Sequence, residues 1–131
     1  RGGLAALSEE QRSQLPEIYL GNASHRSVFD ALMGGHPPSG AQGENIYAAQ
    51  VLWDEAMADS AIKAMRWRGR QSIMVVVAGS GHVMYDQGIG YRITRQSGEP
   101  SVSVVCIEGD KPREVSRGIA RFVYMSPAAK E

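Results

Sequence analysis

One helical stretch, Glu44 to Arg68, constrains this chain more than any other segment. It reads ENIYAAQVLWDEAMADSAIKAMRWR, with Arg66 and Arg68 in the last turn and Gly69 after it, a composition that suits the negative end of a helix. Gln50, Asp54, Met57 and Ala61 follow at steps of four, three and four, so they share one face. That face is apolar except for Gln50 and Asp54, which stack one turn apart. A buried aspartate is costly without a partner. The spacing therefore predicts that the helix packs Gln50 and Asp54 against another polar element. A candidate follows directly: the apolar run Ile73–Ala78 ends in Gly79-Ser80-Gly81-His82, a glycine turn that presents a histidine.

The rest of the chain supplies elements to pack around that helix. Ser8-Glu9-Glu10-Gln11 is a capping box, opening a short helix that should stop near Leu15-Pro16. A second helix is expected from Ala23 to Met33, closed by Gly34-Gly35, and His36 to Gly43 has the composition of an exposed loop. Gln71 to Ala78 reads as a strand, apolar on both faces and hence central. Gly88 to Ile93 reads as a short helical or turn segment. Val102–Ile107 and Ala120–Met125 read as two further strands, separated by the polar loop Glu108–Arg117, and Ser126–Glu131 as a frayed tail. This order predicts an α/β class: a small mixed sheet flanked by helices, in a single domain over residues 1–131.

Composition bounds the function. A chain of 131 residues can bury roughly two-thirds of its unfolded surface, enough for a core. Lys plus Arg equals Asp plus Glu at 14 each, so no net field draws the protein to nucleic acid or to acidic membranes. No apolar run approaches the ~20 residues that cross a bilayer. The single Cys106 excludes an intrachain disulfide and a metal-binding cysteine pair, and its alternating surroundings predict a buried thiol. With no signal segment before it, Cys106 is not an acylation site; an export signal or lipid anchor would lie upstream.

His82 is the leading site candidate, because ligands of open α/β sheets gather beyond the carboxyl ends of strands. Gly79 and Gly81 would let the backbone turn tightly and let a ligand approach. On the alternative reading His82 merely caps a tight turn. Gln50 and Asp54 could orient its imidazole through Nδ1–H, or could cap the turn themselves. Trp53, Trp67, Met57 and Met65 are expected in helix packing, and His25 and His36 at the surface. No Ser–His–Asp set, Cys–His set or His-Glu-x-x-His motif is visible.

Gln50-x-Leu52-x-Asp54-x-x-Met57-Ala58, followed by the apolar strand and Gly79-Ser80-Gly81-His82, resembles the ChaN-like haem-binding lipoproteins of bacteria. These belong to a wider group with the TraB and Tiki proteins, which carry Gly-x-x-His motifs. The resemblance runs from about Leu4 to about Tyr124 and matches the second half of such a protein. The first half, with its own strand and Gly-Glu-x-His turn, has no counterpart here, which implies half of a larger α/β domain.

The resemblance implies haem as cofactor, no metal beyond the haem iron, and a binder rather than an enzyme. It implies a place in the bacterial cell envelope (periplasm or outer membrane), a role in haem and iron acquisition, and a homodimer sharing the ligand. Membrane attachment would come only through an upstream lipid anchor. Phenolate is an axial ligand of ferric haem, and the family binds haem through tyrosine with histidine assistance. Tyr47, Tyr85 and His82 are therefore the expected haem contacts, with Gln50, Asp54, Gly79 and Gly81 around them and Tyr19 and Tyr91 in reserve. Arg92 and Arg95 could meet the propionates or stand in solvent. Because Gly-x-x-His also occurs in relatives that look like metal-dependent peptidases, hydrolysis is the alternative, and it would need further ligands from the missing half.

Overall fold

The spine of the molecule is a 29-residue helix, described in a computed structural model together with the rest of residues 2–36, 38–69, 72–109 and 114–127. Helix α1 (Glu9–Ser13) opens on the expected capping box, the Ser8 hydroxyl accepting from the Gln11 N–H and the Gln11 side-chain oxygen from the Ser8 N–H. Asn22 caps α2 (Ala23–Leu32) by accepting from the His25 N–H at 3.0 Å. Gly34 and Gly35, both at positive φ, end it.

The long helix α3 (Gly40–Arg68) begins a turn earlier than expected, so residues 40–43 are helical rather than loop. The reason is a close approach: Gly43 sits where a Cβ would overlap the Pro38 carbonyl oxygen. Tyr47, Val51, Asp54, Ala58 and Ala61 form its buried face. Successive residues on a helix point about 100° apart, so Trp53, next to Asp54, is turned outward. Trp53 and Trp67 are both exposed, which corrects their expected place in helix packing.

Two apolar clusters hold the layers together. Phe29 of α2 meets Tyr47 and Val51 of α3, with Ile18 against them. Ala58, Ala61 and Ile62 of α3 meet Ile89 and Ile93 of α4 (Ile89–Ser97), covered by Met74, Val76 and Ala78. The last three come from the stretch expected to be a central strand. Among the described residues that stretch has no ladder partner, and its burial alternates instead of being two-sided: Ile73, Val75 and Val77 are 92, 77 and 92 % exposed. The sequence is apolar on both faces, but only the face on α3 and α4 is covered here. Gln71 lies outside the described residues.

Strands β1 (Val104–Glu108) and β2 (Phe122–Ser126) pair in parallel, Val104 opposite Phe122 and Glu108 opposite Ser126. Each starts two residues later than expected, and Ser126 closes β2 rather than opening a tail. Residues 110–113 of the expected loop and 128–131 of the tail lie outside the described residues. Val105 is buried while Cys106, on the opposite face, is exposed, so strand alternation overturns the expected buried thiol. The chain is thus a mixed α/β fold, helices flanking a small parallel pair. Among the described residues no helix is long and apolar enough to cross a membrane.

What this architecture does for the site is to deliver the 79–82 turn to the side of α3. Residues 72–78 run over the α3–α4 groove, and α4 begins at Gly88, where a Cβ would overlap the His82 carbonyl oxygen. Gly88→Ala should therefore push α4 off the His82 turn and destabilise the protein by about 1–3 kcal/mol. A lower urea midpoint with an unchanged slope is the expected result, and an unaltered midpoint contradicts the contact.

Candidate functional site

Asp54 is fully buried on α3, and donors reach it from three other elements. His82 Nδ1, on the glycine turn, lies 2.6 Å from Asp54 Oδ1. His25 Nε2, on α2, lies 2.9 Å from Oδ2. Arg92 Nη1, on α4, stands 3.4 Å from Oδ2 while donating at 2.9 Å to the carbonyls of Gln87 and Gly88. Gln50, one turn before Asp54, places its amide nitrogen 3.0 Å from His82 Nδ1. The face of α3 does meet the glycine turn through Gln50 and Asp54, as its spacing predicts.

His25 is the residue the sequence reading misplaced. It is 2 % exposed rather than at the surface, with Nε2 on Asp54 and Nδ1 3.2 Å from the Tyr47 hydroxyl. A signal for this exists: His25, Phe29 and Leu32 follow at steps of four and three on α2, which puts His25 on the helix's apolar side. The Tyr47 hydroxyl also lies 3.4 Å from the Asn22 carbonyl oxygen. Burial pushes the Tyr47 phenol above the ordinary tyrosine range, against smaller opposing pulls from the Arg92 and Arg26 charges. Arg26 stacks 4.5 Å over the Tyr47 ring and forks onto Glu44, whose carboxyl that hydrogen bond holds below its usual range.

Glu55, the neighbour of Asp54, is also fully buried. Arg95 Nη2 donates to both its oxygens at 3.0 and 2.9 Å, Gln96 donates at 2.6 Å, and Arg92 Nε stands 3.4 Å away. Arg92 is fully buried and Arg95 half-buried, and both turn to these acids rather than standing in open solvent. They neutralise two adjacent acids whose burial would otherwise be prohibitive. Sequence periodicity gives no sign of Glu55, because adjacent helix positions seldom share a face.

Beside His82 lies a cavity of about 290 Å³. Val28, Phe29, Leu32 and Met33 of α2 form an apolar wall, and Gln50, His25 and the 79–82 turn form the polar one. Gly81 allows the approach, since a Cβ there would come within 3.2 Å of Leu32, whereas Gly79 has ordinary backbone angles and room for a Cβ. Asp54 holds Nδ1, and Nε2 of His82 makes no hydrogen bond among the described residues. Trp53, 62 % exposed, places its ring 6.2 Å from that of His82.

The two tyrosines expected at the ligand do not line this cavity. Tyr47 is 3 % exposed and reaches it only through His25. Tyr85 sits in the turn after His82 at φ 59°, its N–H bonded to the Ile119 carbonyl at 2.7 Å. Among the described residues no group of three or more His, Cys, Asp or Glu side chains is arranged to hold a metal ion.

A family model described as haem-binding uptake, Tiki superfamily, ChaN, matches residues 1–93. The match spans α1 to α4 and includes every residue of the Asp54 constellation, and the chain belongs to this family. No curated protein and no solved structure matches it. The family description supports a haem-binding role.

Two outcomes follow from the geometry. Asp54→Asn keeps the shape but leaves Glu55 as the near counter-charge of Arg92 and puts an amide between His25 and His82, so a loss of about 1–3 kcal/mol in chemical denaturation is expected; an unchanged midpoint contradicts these contacts. The native Tyr47 phenol holds its proton more tightly than the unfolded one. Its contribution is thus complete below the ordinary tyrosine value of about 10 and is lost as pH rises through the higher native value. Tyr47→Phe should flatten the alkaline fall of the melting temperature, and an identical alkaline limb contradicts the burial effect.

Proposed function

We propose that this member of the haem-binding uptake family holds haem at the cavity beside His82, with His82 Nε2 facing the iron. The observation that carries the reading is that carboxylate on Nδ1. A metal-binding histidine commonly donates its other nitrogen to a carboxylate, which fixes the ring and raises its basicity. The wall of Val28, Phe29, Leu32 and Met33 suits an apolar macrocycle, and the exposed Trp53 offers a further aromatic edge. At about 290 Å³ the cavity is at the small end of ligand sites, so it would seat one edge of the macrocycle and leave the rest outside.

The chain's own groups contribute orientation and dryness. Asp54 and Gln50 hold the His82 ring, and α2 excludes water from one side. When bound, haem would supply the iron that His82 addresses and an apolar surface larger than this cavity covers. A second copy of the chain is a fitting cover for that surface, and Tyr85 is the expected tyrosine nearest His82 in sequence. Tyr47 would act through His25 rather than on iron. The role is that of a binder in haem and iron acquisition at the bacterial envelope, not of an enzyme. Metal-dependent hydrolysis, the alternative, would need ligands beyond His82, because both ring nitrogens of His25 are engaged, by Asp54 and by Tyr47.

Titration of ferric haem into the protein should give a shifted Soret band with defined stoichiometry. His82→Ala should weaken binding by roughly ten- to a hundredfold, and because it takes a donor from the buried Asp54 it should also lower the apo melting temperature. Unchanged affinity in that variant rules out His82 as the contact. Tight zinc binding that His82→Ala abolishes, without haem uptake, would favour the hydrolytic alternative.

A further inference from the structure

Two groups address the same nitrogen of His82 with opposite demands. Asp54 Oδ1, at 2.6 Å from Nδ1, can only accept and needs a hydrogen there. The Gln50 amide nitrogen, at 3.0 Å, can only donate and needs a lone pair there. One nitrogen cannot satisfy both as they stand: with the hydrogen on Nδ1, the Gln50 amide must turn its oxygen to the ring. With the hydrogen on Nδ1, Nε2 keeps its lone pair for a ligand. With the hydrogen on Nε2, the ring offers the cavity an N–H and cannot bind a metal centre.

We propose that His25, held by Tyr47, is a positioning residue that decides this contest by fixing the Asp54 carboxylate towards His82. The Asp54 oxygens are divided: Oδ1 serves His82, and Oδ2 serves His25 at 2.9 Å and Arg92 Nη1 at 3.4 Å. His25 can donate to Oδ2 only with its hydrogen on Nε2. Tyr47 favours that form: the single hydrogen of its hydroxyl, kept in its buried setting, goes to the nearer acceptor, His25 Nδ1 at 3.2 Å, rather than to the Asn22 carbonyl at 3.4 Å. The hydrogens then run in one direction, from Tyr47 to His25 to Oδ2, while His82 donates to Oδ1. Without His25, Arg92 is the remaining donor to Oδ2. A carboxylate that turns to close its 3.4 Å separation from Arg92 to a hydrogen bond loosens its bond to His82 and yields Nδ1 to Gln50. This inference deepens the haem reading, since it rests on His82 Nε2 being the group offered to the ligand.

The test reads the imidazole nitrogens of the haem-free protein by long-range ¹⁵N–¹H NMR correlation. The native protein should show both histidines with defined tautomers, Nδ1–H at His82 and Nε2–H at His25. In His25→Phe, His82 should move to the Nε2–H form, and Gln50→Leu added to that variant should restore Nδ1–H by removing the competing donor. A merely structural role for His25 predicts no such rescue. Haem affinity should fall by about ten- to a hundredfold in His25→Phe and recover in the double variant. Should His25→Phe fail to fold, Tyr47→Phe decides: His82 should shift partly in the same direction, and native tautomers there overturn the proposal. Native Nδ1–H at His82 in a folded His25→Phe also overturns it. A native protein with these tautomers that takes up no haem defeats the haem reading and leaves the tautomer lock standing.

Discussion

A carboxylate removed from water is one of the least favourable objects a fold can contain, and Asp54 is fully buried. Its burial is tolerable only because α2, α4 and the 79–82 turn each bring a donor to it. Those donors fix the elements relative to α3 more sharply than apolar contact alone does. Hydrophobic packing tolerates small slides, whereas hydrogen bonds of 2.6 and 2.9 Å to opposite oxygens of one group do not. The neighbouring Glu55, neutralised by Arg95 and Arg92, repeats the device one residue along and ties α4 to the same stretch of α3.

From this constraint the chemistry of the site follows. An imidazole whose Nδ1 faces a buried carboxylate is oriented and left with one nitrogen to offer. The apolar side of α2 stands across the cavity from it. The family to which the chain belongs is described by haem-binding uptake, and the oriented imidazole beside an apolar wall is the feature of the structure that supports such a role. Tyr47, with its raised phenol and its partners His25 and Asn22, is better suited to donating a hydrogen bond than to becoming a phenolate.

Much of this was legible in the residues. The pairing of Gln50 and Asp54 with the His82 turn follows from the helical period and from the cost of a buried acid, and both are local rules. The capping box at Ser8 and the helix after Gly88 follow from equally local chemistry. What escaped depends on partners distant in sequence. The 25/29/32 spacing puts His25 on the apolar side of α2, but its partner Asp54, twenty-nine positions on, is not legible from that spacing. Glu55 carries no periodic signal, and Arg92 and Arg95 read as propionate contacts or solvated charges, until α4 is laid on α3. Residues 72–78 carry the pattern of a strand covered on both sides, and the side bearing Ile73, Val75 and Val77 has no cover among the described residues. Cys106 was placed inside because strand alternation cannot say which face is which.

Electron–nuclear hyperfine spectroscopy of the ferric haem complex, with ¹⁵N introduced only in histidine, tests the centre of this picture most directly. Ligation through the Asp54-oriented imidazole predicts a strong coupling from one histidine nitrogen to iron, lost when His82 is replaced and retained when His36 is. A haem complex of full occupancy with no histidine coupling would contradict it.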